Sequence, residues 1–331
     1  MKKKQIPMPL RYGINAVLIV AALAVGNAIV TGGALGRAQT SIVMQIGIYM
    51  ILAASLNMAT GYLGQLPLGH AGFMAVGAYA AGIFWKSGVT INIGTFIAGV
   101  LLAALTAGIA GILIGIPALR LKGDYLAIIT LGFGEIIRIA IVNLSDLTGG
   151  APGLKTIPKQ ASFLKVYLCV ILTLMIIHMI MKSRHGRAIL SIRENEIAAE
   201  ASGIPTTYYK VMAFAVSAAF AGVAGALYAT NQGIIAPGEF GFMQSINILV
   251  MVVLGGMGSM LGSALAAGIL TALPLALQSF NEYRMVMYSL LLVVVMIFKP
   301  SGLLGTYDFS LSRILSRALN GTDPKEGGER P

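Results

Sequence analysis

The chain has 331 residues, of which 57% are hydrophobic and 11% charged, with a formal net charge of +11. A soluble domain is about 45–50% apolar and about 25% charged, so this composition points to an all-α polytopic membrane protein. No polar stretch is long enough to bury a core of its own, the single Cys169 excludes an internal disulfide or a cysteine metal cluster, and the basic excess reads as cytoplasmic loops rather than a nucleic-acid surface.

Residues 1–12 carry Lys2, Lys3, Lys4 and Arg11 and form the expected cytoplasmic N-terminus. The apolar run that follows exceeds a secretory h-region and has no clear cleavage site, so it reads as an uncleaved first span. A bilayer core about 30 Å thick needs about 20 helical residues. On that measure the chain has about ten spans: 13–31, 39–60, 66–85, 91–117, 124–143, 163–182, 208–230, 243–257, 261–280 and 284–299. With the N-terminus inside, sixteen of the 23 Lys and Arg fall in inner segments and six in outer ones. That bias puts both termini in the cytoplasm. The transmembrane domain then covers 13–305, with an internal loop at 183–207 and a polar tail at 306–331.

Two stretches are interrupted: GYLGQLPLGHAGF at 61–73 and VLGGMGSMLGS at 253–263. Two readings fit them. One is discontinuous or re-entrant helices beside a path, where freed backbone groups face a cavity; the other is tight turns between spans. Small residues recur every fourth position at Gly111 and Gly115, at Gly258 and Gly262, and at Ser217, Ala221 and Gly225. That spacing lines one helix face with small groups and brings backbones close.

Glu135 and Arg138 stand three apart inside a span, so they share a face and can pair. An ionisable group there is a candidate path residue, or half of a self-neutralising pair. His70, beside the first interruption, is a second candidate, and Gln65 and Thr130 complete a low-grade path set. The histidines His70, His178 and His185 lack metal-ligand spacing; His178 reads as packed and His185 as a surface residue. GGAPGLKT at 149–156 approaches an ATP-binding loop, but Leu154 stands where its glycine is needed. The outer loop 144–162 is rich in Gly and Pro and reads as turns.

The loop 183–207 contains SIRENEIAAEASGIP at 191–205, with four charges between Arg193 and Glu200. Ser191 and Glu194 fit a capping box, and Gly203 followed by Pro205 fits a left-handed stop. The pattern predicts a helix of about 11 residues, roughly 16 Å long. Ile192, Ala199 and Ile204 would lie against the membrane domain, with Arg193, Glu194, Glu196 and Glu200 facing outward. So short a helix needs a surface to pack on. Three glutamates make anionic lipid a poor host, which favours a protein partner.

SRHGRAILSIRENEIAAEASGIPTTYYKVMAFAVSAAFAGVAGALYA (183–229), GYLGQLPLGHAGFMAVGAYAAG (61–82), RLKGDYLAIITLGFGEIIRI (120–139), LTGGAPGL (147–154), MVVLGGMGSMLG (251–262) and FKPSGLLG (298–305) resemble, in order, the permeases of branched-chain amino acid ABC importers, and more narrowly their M-type subunit. Pro67 is a local departure, since many relatives carry Ser in LPLGH. The resemblance implies a permease paired with a second, related one in a bacterial inner membrane. It also implies two cytoplasmic ATPases that use ATP and Mg, a periplasmic binding protein above, and no cofactor or catalysis on this chain. The family's coupling-helix pattern maps to Glu196, Ala198, Ala199, Glu200 and Gly203. Branched-chain amino acids are the default cargo, with urea, short amides or other amino acids as alternatives. An ion-coupled transporter acting alone and a membrane scaffold are the competing classes. Few ionisable sites stand in the spans to bind a driving ion.

Overall fold

Helix α1 runs from Arg37 to Asn57 and continues through a π-helical turn at Met58–Tyr62. The turn shows in the bond from Leu63 N to Met58 O, five residues back, at 3.2 Å. The computed structural model describes residues 21, 23–32, 36–88, 90, 92–277, 283–299 and 302–303. It divides into two units, one of residues 1–35 and 307–331 and the other of residues 36–306. In the first unit residues 21 and 23–31 are helical; residues 13–20 and 22 of the 13–31 span and the tail 306–331 lie outside the described residues.

The second unit contains, after α1, helices α2 (His70–Lys86), α3 (Ile93–Ala118), α4 (Asp124–Asn143), the single turn α5 (Ser145–Thr148) and α6 (Phe163–Lys182). Then come α7 (Arg184–Glu194), α8 (Glu196–Ala201), α9 (Thr206–Gln232), α10 (Phe242–Gly255), α11 (Met260–Ala276) and α12 (Arg284–Phe298). A 3₁₀ turn, Pro237–Phe240, joins α9 to α10. Each of the nine spans expected in this unit thus has a helix, and those at 124–143 and 163–182 match end to end. Among the described residues five helices are long and apolar enough to cross a membrane: Ala38–Tyr62, α3, α4, α6 and α9. α2, α10, α11 and α12 are shorter.

The core is built around α9, which packs on α3, α2 and α1. Ser217, Ala221 and Gly225 are buried there, as their spacing predicts. Where α9 crosses α3, a Cβ on Gly222 would run into the Ala103 carbonyl, so only glycine permits this approach. Gly111 and Gly115 of α3 meet Ala218 and Phe214 of α9 in the same way. Gly258 and Gly262 do not share a helix face. Gly258 lies in the turn between α10 and α11 at φ 89°, and Gly262 packs on the Gly255 carbonyl across that corner. Ile97, Leu101, Leu105 and Ile109 stay exposed along α3, a stripe suited to lipid. The loop 144–162 forms turns, with Leu154 bridged to Ile235 in the α9–α10 connection.

Candidate functional site

The loop 183–207 folds as two helices, not one. Ser183 caps α7, accepting from His185 N at 3.2 Å and Gly186 N at 3.5 Å. The capping box expected from Ser191 and Glu194 does not form. Ser191 lies inside α7 and donates its hydroxyl to the Ala188 carbonyl at 2.8 Å. The helix breaks at Asn195, whose backbone is extended (φ −158°, ψ 106°) and whose Oδ1 accepts from Ala198 N at 3.1 Å, capping α8.

The stop signal is borne out. Gly203 adopts φ 81°, Gly203 N donates to the Glu200 carbonyl at 2.9 Å, and Ile204 N donates to the Ala199 carbonyl at 3.1 Å. These paired bonds satisfy carbonyls that the helix end leaves free. Ile192 and Ala199 are buried in a small apolar cluster with Met58, Leu63, Ile177 and Ile189, and Ile204 packs against it. His185, expected at the surface, is half-buried beside the Tyr209 ring at 5.9 Å.

Of the four charges expected to face outward, Arg193, Glu194 and Glu200 are exposed. Glu196 turns inward and bonds to Lys210 Nζ of α9 at 2.6 Å and to Lys122 Nζ at 3.3 Å. Lys210 is 4% exposed, so its charge would be costly to bury unpaired. Burial pushes the Glu196 carboxyl up, but the two ammonium groups outweigh it and hold the carboxyl below the usual carboxylate range. What α8 offers to solvent is Ala198, Glu200, Ala201 and Ile197, the last 77% exposed.

Arg193 reaches back into the membrane domain, and its Nη1 donates to the Gly61 carbonyl at 2.5 Å. Gly61 lies near the end of the π-helical turn, where the chain leaves helical geometry and a carbonyl needs a partner. The same guanidinium lies beside Gly258 in the second interruption.

Asn57 joins the two interruptions. Its Oδ1 accepts from Gly258 N at 2.8 Å, and its Nδ2 donates to Ser259 O at 2.9 Å and Ser263 Oγ at 2.8 Å. A Cβ on Gly61 would overlap both Asn57 Oδ1 and Gly258 N. Leu303 N adds a third strand of chain, donating to the Leu254 carbonyl at 2.7 Å. The interrupted segments are therefore one packed node, with Arg193 as its link to α7. Sequence reasoning missed Asn57; the available signal was an amide side chain inside an apolar span.

Three of the path candidates meet at the first interruption. His70 opens α2, 2% exposed, with Nε2 2.9 Å from Ser55 Oγ. Thr130, 1% exposed, accepts from Leu68 N at 2.9 Å, fastening the segment to α4. The Gln65 backbone closes on the Ala59 carbonyl at 3.0 Å. Glu135 stands apart and pairs with Arg138 Nε at 2.6 Å, each about one-third exposed. Among the described residues no group of His, Cys, Asp and Glu can hold a metal.

A family model described as the branched-chain amino acid transport system permease component matches residues 39–296. The chain belongs to that family. The permease is 39% identical to the high-affinity branched-chain amino acid transport system permease protein LivM of Salmonella typhimurium, over 81% of this chain and 70% of that one. It is 38% identical to LivM of Escherichia coli, over 78% and 68%. A shorter match, 36% identical over 126 residues, joins it to the permease protein LivH of Escherichia coli. These relatives bear out the M-type resemblance and make the permease a multi-pass transport subunit.

Proposed function

We propose that this permease carries branched-chain amino acids inward through its interface with a second, LivH-like permease. Two cytoplasmic ATPases would use ATP and Mg beneath it, and a periplasmic binding protein would load it from above. Both termini, α7 and α8 then lie on the cytoplasmic side of the inner membrane. ATPase closure pushes α8 through its exposed face, Ile197 and Glu200. α7 passes the push through Arg193 to the node where the interrupted segments cross.

The observation that carries this reading is the bond from Arg193 to Gly61. It ties a surface helix to backbone that no regular helix satisfies. Asn57 spreads any displacement to the second interruption, as expected of an element with two discrete arrangements. The test is uptake in proteoliposomes holding both permeases, the ATPases and the binding protein. ATP-dependent uptake of leucine, isoleucine and valine, with urea and short amides excluded, supports the reading. Uptake driven by a sodium or proton gradient without ATPases contradicts it.

A further inference from the structure

Glu135 and Arg138 lie on the half of α4 away from α7 and α8. The Asp124 end of α4 follows Lys122, which bonds Glu196 of α8. From that end, Glu135 is about 17 Å and Arg138 about 21 Å along the axis. Gly132, Glu135 and Arg138 recur at three-residue spacing and share a face. A Cβ on Gly132 would meet nothing within 4 Å, so that face opens on free space. An ion pair one-third exposed on such a helix is poorly suited to lipid and suited to a wet cavity or a protein surface.

A second carboxylate borders the same place. α4 packs on the Pro237–Phe240 turn, which carries the exposed Glu239. Glu135 Oε1 lies 3.9 Å from where a Cβ on Gly241 would stand, two residues beyond Glu239. Tyr228 donates its hydroxyl to Glu239 Oε2 at 3.3 Å and accepts from Gln232 Nε2 at 3.4 Å. The Phe240 ring packs edge-on against Tyr228 and Tyr79, fixing the turn. Among the described residues no Lys or Arg pairs with Glu239. Arg138 bonds Glu135 through Nε alone, which leaves its two terminal nitrogens as a fork for a carboxylate. Phe242 and Met243, next along the chain, are exposed apolar side chains.

We infer that Arg138 and Glu239 form a receiving station for a zwitterion, with Arg138 taking the carboxylate and Glu239, held by Tyr228, taking the ammonium. Glu135 is a positioning residue that aims the Arg138 fork, and Phe242 and Met243 supply surface for an apolar side chain. The inference rests on the permease reading and adds to it a recognition step on this chain, beyond the selectivity of the binding protein.

The test uses the four-component complex in proteoliposomes, with leucine as the probe. Glu239→Gln and Arg138→Met are expected to lower uptake at least about tenfold, the loss of one charge-assisted contact, while all subunits still copurify. The exchange Glu135→Arg with Arg138→Glu keeps an ion pair on α4 but reverses the charge presented, and uptake is expected to stay lost. Normal uptake by either single variant, or by the exchanged pair, overturns the station. Loss of the second permease from Glu239→Gln preparations assigns Glu239 to the subunit interface and overturns it too. A wild-type complex with no ATP-dependent uptake overturns the permease reading together with the station.

Discussion

Arg193 Nη1 donates to the Gly61 carbonyl at 2.5 Å, across 132 residues of sequence. α7 therefore holds the membrane domain at the point where α1 stops being a helix. The neighbouring bonds of Asn57 carry that grip to Gly258, Ser259 and Ser263.

Ile197 is the test of the outer face of α8. It is 77% exposed, so Ile197→Ser should leave folding within about 0.5 kcal/mol of wild type. If an ATPase groove buries it, the same change weakens ATPase binding about tenfold, the worth of one isoleucine side chain. Copurification of ATPases with tagged permease measures this. Undiminished ATPase recovery would remove Ile197 from the docking surface. Glu196→Lys is a poor probe of docking, because it sets a third cation beside Lys210 and Lys122.

Asn57→Leu should destabilise the permease itself. It leaves the Gly258 N–H without its side-chain partner, while the Ser259 carbonyl keeps its bonds from Ser263 N and Oγ. An unsatisfied buried donor costs about 1–3 kcal/mol, which sets the size of the loss. Thermal unfolding in detergent should show a clearly lowered midpoint, and an unchanged midpoint would mean that the node is not a structural joint. Gly61→Ala should fail more severely, since its Cβ has no room against Asn57 and Gly258.

Much of this was legible in the sequence, and the failures are specific. The helices at 124–143 and 163–182 match their apolar blocks because Gly123 at φ 58° and Ser162, accepting from Lys165 N, begin them locally. Gly203 was readable for the same reason. Ser191 misled because a capping-box spacing also arises inside a helix, where the Ala188 carbonyl takes the hydroxyl. The true cap, Asn195, was available four residues on. Glu196 turns inward because its partners Lys210 and Lys122 lie on other elements, and Arg193 is exposed as expected while its bond to Gly61, 132 residues away, was not legible. The same distance hid Asn57, whose partners lie some 200 residues away.

Acid should loosen α8 through Glu196. Its carboxyl is held below the usual range in the folded chain. The stabilisation is therefore complete above the unfolded value, about 4.3, and is lost as pH falls through the lower folded value. Proteolysis of the 183–207 loop against pH measures this. Wild type should become more cleavable as pH drops below about 4, whereas Glu196→Gln should be more cleavable already at neutral pH and change less with acid. Parallel profiles would show that the carboxylate holds nothing.

The most direct measurement is the ratio of leucine transported to ATP hydrolysed by the complete complex carrying Arg193→Ala. The account predicts that hydrolysis stimulated by the loaded binding protein persists while uptake falls about 5- to 150-fold, the range of a typical coupling free energy. An unchanged ratio, whether both rates stay normal or fall together, would contradict the claim that Arg193 couples the cytoplasmic helices to the crossing of the interrupted segments.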